Sequence, residues 1–275
     1  MQYNQKSLEG KIISTENQKP VVALYGLTCC AGCQLEILDL EDELLDILGK
    51  INLVQFRMGS SAKHPGPYDI CFVEGSVTNE EELAQLKELR KKSKILIALG
   101  ACATTGGVNA LRNGRNIEEL KQTVYSDASH LRTLPEILPL KEHVSIDYEL
   151  QGCPISGEEF IELLTALLTG ATPQEKNYAV CVECRIKENV CLMKEGELCL
   201  GPITRAGCGA RCPSVGFPCE GCWGPVPQAN VTSEIEMFSQ KGASFDTVVR
   251  KFRMFNASSE DFMKELKRRL NIEWL

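Results

Sequence analysis

The first part of the chain switches repeatedly between short apolar runs and amphipathic stretches. Short apolar runs that end at glycine or polar residues are typical of buried parallel strands, and they cover 21–25, 51–56, 70–73, 95–99 and 144–150. Apolar residues at helical spacing fall between and after these runs, over 35–48, 78–92 and 156–167. Strands that alternate with helices predict a fold of the α/β class, with a doubly wound parallel sheet.

This pattern stops at about Pro173. Gly, Pro and Cys dominate as far as Pro227, with no sustained period of either strand or helix. Such a segment cannot build a large hydrophobic core, so we expect something else to cross-link it. The stretch Ser258–Leu270 is amphipathic again and predicts a charged helix that packs on the body. We therefore divide the chain into an N-terminal domain, 1–172, and a Cys-rich domain, 173–275.

Cysteine usage changes this picture most. The chain has 14 cysteines in 275 residues. The segment that carries most of them opens and closes with a Cys-x-x-Cys pair, which places two sulfurs on one tight turn. Eight thiols divide naturally into two four-thiolate sites, and they are Cys181, Cys184, Cys191, Cys199, Cys208, Cys212, Cys219 and Cys222.

Three loops of the N-terminal domain also carry cysteine, and each follows a predicted strand. The carboxyl ends of parallel strands line the crevice where such sheets bind ligands, so these cysteines can converge on one site. The four candidate ligands are Cys30, Cys33, Cys102 and Cys153. Cys29 is a rival for Cys30, and the sequence leaves that choice open. Cys71 lies inside an apolar strand and is expected to be a core thiol.

Charge and hydropathy indicate the cellular location of the protein and the classes of partner it lacks. The net charge of −7 argues mildly against a nucleic-acid partner. Residues 1–19 are polar and lack the apolar core of a signal peptide, and no apolar run is long enough to span a bilayer. We therefore expect a cytoplasmic protein without a membrane or nucleic-acid partner. Because the cytoplasm keeps thiols reduced, its cysteine-rich sites more often hold metal than disulfides.

Four-thiolate sites bind either structural zinc or an iron–sulfur cluster. The N-terminal set lies in a ligand crevice of a domain that has its own core, where structural zinc would add little. Cys-Pro pairs at Cys153 and Cys212, together with flanking glycines, also suit a bulky cluster. Twelve ligands in three groups of four therefore suggest three clusters in a relay, and no catalytic dyad accompanies them.

These motifs resemble those of a known family, the small subunits of nickel–iron hydrogenases. The loops 30–33, 100–107 and 152–154 are similar to the motifs that hold the proximal cluster of that family. The run from Cys199 through Cys208 to Cys222 resembles the distal and medial motifs in order. The chain is most similar to the cytosolic, bidirectional NAD(P)-linked type, as in the delta subunits of archaeal sulfhydrogenases.

The resemblance implies a flavodoxin-like doubly wound parallel sheet, a smaller irregular Cys-rich iron–sulfur domain, and three [4Fe-4S] clusters. The implied partners are a large subunit that holds the nickel–iron site, a flavin/NAD(P)-binding subunit and additional iron–sulfur subunits. This chain would then transfer electrons within an H2:NAD(P)+ oxidoreductase, with sulfur as another acceptor, and hold no catalytic residue itself. The implied ligands are Cys30, Cys33, Cys102 and Cys153 for the proximal cluster, Cys208, Cys212, Cys219 and Cys222 for the medial cluster, and Cys181, Cys184, Cys191 and Cys199 for the distal cluster.

Two departures from the membrane-associated pattern of that family are informative. That pattern has histidine where this chain has Cys181, and it lacks the fourth medial cysteine that Cys212 supplies here. Replacing thiolate by imidazole raises a cluster's potential, so an all-cysteine relay is expected to have a low potential. A low potential suits exchange with NADP(H) or a flavin.

Two alternatives stay open. The tandem Cys29-Cys30, with Glu36 downstream, resembles the cluster-bearing subunit of respiratory complex I, although that subunit lacks an eight-cysteine extension. The second alternative is an interaction module stabilised by zinc, with no redox role.

Overall fold

The computed structural model describes residues 18–270. The polar stretch 1–17 and the last five residues, which the two predicted domains include, lie outside the described residues. The centre of the fold is a parallel sheet of five strands in the order β2–β1–β3–β4–β5. This is the flavodoxin-like strand order. The strands are β1 (Val21–Gly26), β2 (Asn52–Phe56), β3 (Tyr68–Glu74), β4 (Ser93–Leu99) and β5 (Tyr148–Leu150).

The strands in the middle of the sheet are buried because helices cover both faces. One face carries the core formed with α1 (Gly32–Leu38), α2 (Asp42–Leu48) and α6 (Gly157–Thr169). The other face packs against α3 (Glu80–Lys92) and neighbouring loop residues. This arrangement confirms the α/β class and the doubly wound parallel sheet. The short helices α4 (Ala101–Thr104) and α5 (Ile117–Val124) follow β4.

The helix predicted over 35–48 is in fact two helices. Its break lies between Leu38 and Asp42, where Glu41 adopts a positive φ of 48°. The helical spacing of leucines across the break is therefore misleading, and Leu45 is 65% exposed.

Two other boundaries also differ from the expectation. Helix α3 begins at Glu80, two residues after the start of the predicted stretch 78–92, and Asn79 caps it by accepting the Glu82 N–H at 2.9 Å. The Glu82 carboxylate in turn accepts the Thr78 N–H at 2.7 Å. Strand β5 covers only the end of the predicted run, since the Asp147 carboxylate accepts the Leu96 N–H at 2.8 Å. The Asp147 side chain thus accepts the Leu96 N–H, which a backbone carbonyl would accept if β5 were longer.

The C-terminal part has more regular structure than its composition suggested. It contains α7 (Val180–Ile186), α8 (Arg211–Ser214), α9 (Val231–Gln240), α10 (Phe245–Asn256) and α11 (Glu260–Leu270). The last helix confirms the one predicted from Ser258. The helices α9 and α10 were missed, although their apolar residues recur at helical spacing. These three helices bury a core of their own, to which Leu200 and Ile203 contribute from the Cys-rich segment.

The segment between α7 and α9 has only a small core, as predicted. The small core cluster at this segment consists of Val180 of α7 and Ala210 together with two cysteines, Cys199 and Cys219. Cysteine thus takes the place that branched aliphatic residues occupy in the sheet. None of the helices between residues 18 and 270 combines the length and apolar character needed to cross a bilayer.

Candidate metal centres

The N-terminal cysteines meet at the carboxyl edge of the sheet, as expected from the ends of the parallel strands. Cys33 lies in the first turn of α1, Cys102 lies in α4 directly after β4, and Cys153 follows β5. Burial and the neighbouring Glu74 raise the pKa of Cys33, with further contributions from Cys102 and Cys153. Gly100, with a φ of 82°, lets the backbone approach, because a Cβ there would lie 2.5 Å from the Cys33 Sγ. We call the four cysteines Cys30, Cys33, Cys102 and Cys153 the proximal group.

Cys29 and Cys30 differ in their surroundings. Cys30 is exposed and accepts the Gly32 N–H at 3.4 Å. The charge of Cys30 raises the pKa of Cys102 more than that of Cys29 does, and it also raises the pKa of Cys153. Burial, followed by Glu74, raises the pKa of Cys29 to about 11. Cys30 is thus the stronger electrostatic neighbour of Cys102, and its choice over Cys29 as a ligand stays a prediction.

Glu74 is a buried acid that was not among the predicted site residues. It ends β3, is 2% exposed, and accepts the Cys33 N–H at 3.1 Å and the Gln34 side-chain amide at 2.9 Å. Its carboxylate thus fixes the start of α1, which carries Cys33. An acidic residue at the end of a continuous apolar run was the available signal. Cys71, in the same strand, is fully buried, which agrees with its expected role as a core thiol.

A second group of cysteines surrounds a cavity of about 90 Å³. Cys208, Cys212, Cys219 and Cys222 all line it, and Cys153 of the proximal group contributes to the same wall. Burial raises the pKa of Cys222 to about 12, with further contributions from Cys208, Cys153 and Cys212. We call the four C-terminal cysteines the medial group.

Glu183 shapes the loop that presents the medial group. It lies on α7 and accepts the backbone N–H groups of Gly207 at 2.8 Å and Ala210 at 3.2 Å. The Cys208 Sγ lies 3.9 Å from the same carboxylate. Because Glu183 stands between Cys181 and Cys184 in the sequence, it ties the medial loop to the next group.

The third group comprises Cys181, Cys184, Cys191 and Cys199. Burial raises the pKa of Cys181 to about 11, and the other three thiols of this group raise it further, Cys199 most strongly. Gly201 closes one side, since a Cβ there would lie 3.3 Å from the Cys181 Sγ and 3.4 Å from the Cys199 Sγ. Cys191 is exposed, whereas Cys199 is buried. We call these four cysteines the distal group.

The three groups form a continuous series. Cys153 of the proximal group acts on the pKa of Cys222 in the medial group and shares its cavity. At the other end, the N–H of Cys219 donates to the Cys199 Sγ at 3.2 Å. The medial group therefore lies between the proximal and the distal group.

The donor set fits a group larger than one ion. A zinc ion needs its sulfurs about 2.3 Å away, whereas a four-iron cluster accepts each thiolate on a different iron and so fills a wider space. Backbone N–H donors to sulfur and cysteines around a cavity match the wider arrangement.

A parallel sheet with cysteine loops at its carboxyl edge, followed by a cysteine-rich segment, defines an electron-transfer class of oxidoreductase subunit. The chain belongs to the family described as NADH ubiquinone oxidoreductase, 20 Kd subunit, whose model matches residues 30–167, and within it to the type of the nickel–iron hydrogenase small subunits. This confirms the resemblance found in the cysteine motifs.

Curated relatives extend the similarity into the Cys-rich segment. Sulfhydrogenase 2 subunit delta of Pyrococcus furiosus is 36% identical over 235 residues, which cover 85% of this chain and 98% of that protein. A vhu subunit of the F420-non-reducing hydrogenase of Methanocaldococcus jannaschii is 38% identical over 238 residues, covering 76% and 83%. Among solved structures, an NAD+-reducing [NiFe]-hydrogenase in the H2-reduced state aligns with a TM-score of 0.53 and 32% identity, over 57% of this chain and 95% of that one.

Proposed function

We propose that this chain is the electron-transfer small subunit of a cytosolic nickel–iron hydrogenase. It passes electrons between a dihydrogen site in a large subunit and a flavin/NAD(P)-binding or sulfur-reducing partner. One observation carries the proposal: the three cysteine groups form a series, linked through Cys153 to Cys222 and through Cys219 to Cys199. A series of redox centres is what electron transfer across a protein needs.

The proposed ligands form three [4Fe-4S] sites, and each site, when loaded, supplies a one-electron carrier. The protein's own residues position and insulate these sites. Burial keeps water from the sulfurs of Cys33, Cys199 and Cys219. Backbone N–H groups donate to the sulfurs of Cys30 and Cys199, and Glu74 and Glu183 hold loops that carry the ligands. The sites are proximal (Cys30, Cys33, Cys102, Cys153), medial (Cys208, Cys212, Cys219, Cys222) and distal (Cys181, Cys184, Cys191, Cys199).

The electron acceptor is the least constrained part of the proposal. The relatives are a sulfhydrogenase, an F420-non-reducing hydrogenase and an NAD+-reducing hydrogenase by name, so their names do not agree on an acceptor. We favour NAD(P) through a flavin and additional iron–sulfur subunits, because Cys181 and Cys212 supply a relay whose ligands are all cysteine. Thiolate ligation gives lower potentials than imidazole ligation, and nicotinamide cofactors require a low potential.

The proposal also includes the division of the chain. Residues 1–172 would hold the proximal site, and 173–275 the medial and distal sites with the C-terminal helices. The cytoplasm is the proposed location, since free thiols in this number persist where the thiol pool is reducing.

The complex I-like alternative draws support from the description of the matching family model. That model stops at residue 167, before the eight C-terminal cysteines, whereas the sulfhydrogenase relative covers 85% of the chain. A one-cluster subunit would leave those eight cysteines without a role. The hydrogenase proposal accounts for both halves.

Anaerobic purification from the native host tests the proposal. We expect a nickel-containing large subunit to co-purify, with about 12 irons and 12 sulfides in this chain. Cys191→Ser should alter only the outermost cluster signal in electron paramagnetic resonance spectra, and Cys71→Ser, at a core thiol outside the three groups, is the matched control. Zinc without labile sulfide would favour the zinc module, and one cluster without nickel would favour the complex I-like alternative.

A further inference from the structure

Glu234 is a carboxyl group buried in helix α9. It is 4% exposed and shares the buried face of the helix with Val231, Ile235 and Phe238. Its Oε1 atom has no hydrogen-bond partner among the described residues. A buried carboxylate without a partner is costly, so this environment favours the protonated, neutral form.

The same face of α9 packs against the chain that leaves the distal group. Leu200, which follows Cys199, and Ile203 share a core with Val231 and Ile235. The charge of Glu234 raises the pKa of both Cys181 and Cys199. Glu234 is therefore within electrostatic reach of two sulfurs that we assign to the distal site.

Two lysines counteract the negative charge of Glu234 or its action on Cys199. Lys241, just beyond α9, favours the charged form, but its Nζ donates to the Met193 carbonyl. Lys251, from α10, acts on Cys199 and pairs with Glu220 in the Cys-rich segment.

The charged residues of α11 engage other parts of α9. Glu265 binds Thr232, and Arg269 binds Glu236. Burial outweighs Lys241 and raises the pKa of Glu234 to about 7. A small change in nearby charge can therefore change the protonation of this carboxyl group near neutral pH.

We propose that Glu234 is the proton-binding group of the distal site: it takes up a proton when that site takes up an electron, and releases the proton when the electron leaves. The inference rests on the proposed function. The electron comes from the medial site and the proton from solvent, and the carboxylate becomes a carboxylic acid. The added negative and positive charges cancel, so the net charge of the buried region is unchanged.

The test is the potential of the distal site as a function of pH, measured in the purified complex by redox titration with electron paramagnetic resonance. With the native chain, the reduction equilibrium should change tenfold per pH unit within a window around neutrality, which corresponds to about 59 mV for a one-electron couple. With Glu234→Gln the potential should be independent of pH. It should also exceed the native value at alkaline pH, where the native carboxylate is charged, and match it at acidic pH.

Two further variants serve as controls. Glu234→Asp retains a carboxyl group and should retain a pH-dependent potential. Glu236→Gln removes an acid from the same helix that is paired with Arg269, and it should leave the potential unchanged. The thermal unfolding midpoint of each variant shows whether the fold is preserved.

Cys191→Ser separates failure of this inference from failure of the proposed function. If that substitution changes no cluster signal, the distal assignment is wrong. If it identifies the distal signal, but the native potential is constant between about pH 5 and 9 or Glu234→Gln retains the slope, the role of Glu234 is refuted.

Discussion

The sheet and the Cys-rich segment depend on cysteine for their cores to different degrees. In the sheet, residues such as Phe72 and Ile97 are fully buried, and Cys33 is one cysteine in a core that apolar side chains otherwise form. In the segment after α7, Cys199 and Cys219 are themselves core residues, beside Val180 and Ala210. The same kind of ligand can thus be added to a finished scaffold or be part of the scaffold itself.

Removal of iron should have the largest effect on local stability, and only in the Cys-rich segment. Because metal binding supplies much of the folding free energy of such segments, protection of residues 180–225 should fall by several kcal/mol. The strands β3 and β4 should keep their protection. Hydrogen exchange with mass spectrometry, before and after anaerobic chelation, measures both regions at once. Equal loss in the sheet would contradict the distinction.

Phe72→Ala should have the second largest effect, now on the sheet. Phe72 is fully buried and its ring centroid lies 5.1 Å from that of Phe160 on α6. Truncating a buried phenylalanine costs about 3–5 kcal/mol. Chemical unfolding followed by circular dichroism measures the loss. Leu45→Ala, at a leucine 65% exposed, is the matched control and should change stability by less than about 0.5 kcal/mol.

Trp223→Phe tests the contact between the two regions. The Trp223 indole N–H, from the Cys-rich segment, donates to Glu159 of α6 at 2.9 Å. Phenylalanine keeps the apolar contact but leaves the carboxylate with one donor fewer, at a cost of about 1–3 kcal/mol. Differential scanning calorimetry should show a lower unfolding midpoint. An unchanged midpoint would mean that the regions are held together without this bond.

Asn79→Ala should have a smaller effect, confined to the sheet region. It removes the side chain that accepts the Glu82 N–H at the start of α3. Loss of such a cap costs about 1 kcal/mol. Hydrogen exchange of the first turn of α3 is the measurement, with Asn79→Asp, which preserves the acceptor, as the control. Faster exchange in the Asp variant as well would argue against the cap.

Arg268→Ala should have the smallest effect, on the C-terminal helices. Hydrogen bonds from Arg268 and then Thr232 lower the pKa of Glu265 to about 2. A lowered pKa stabilises the fold at pH values above the ordinary 4.5, and this stability is lost as the pH falls toward about 2. The variant should raise the Glu265 pKa toward 4.5, which nuclear magnetic resonance titration detects. Because the pair is near the surface, the stability change should be small.

Features set by local patterns could be predicted from the sequence, whereas those set by packing could not. The strands β1, β3 and β4 follow from apolar runs in the sequence, and the flavodoxin-like sheet was implied by the family resemblance. The length of β5 depends on one side chain, that of Asp147, satisfying the Leu96 N–H. The burial of Glu74 and Glu234 depends on which face of a strand or helix packs inward.

The helices α9 and α10 were missed for a different reason. Their apolar residues do recur at helical spacing, but the cysteine-rich composition before them suggested an irregular region. The candidate ligands themselves followed from spacing and the family resemblance, while their series through Cys153 and Cys219 required the structure.

The hydrogen bond from the Cys219 N–H to the Cys199 Sγ bears on how the cysteine sites are loaded during maturation. The Cys219 N–H donates to the Cys199 Sγ, and the Leu200 N–H donates back to the Cys219 carbonyl at 3.0 Å. In the proposed assignment, Cys219 is a ligand of the medial site and Cys199 is a ligand of the distal site. These two hydrogen bonds therefore join the two sites. Filling either site would then position a ligand of its neighbour. We therefore expect loading to be cooperative, with chains that have only one of the two sites filled as a minor species during maturation.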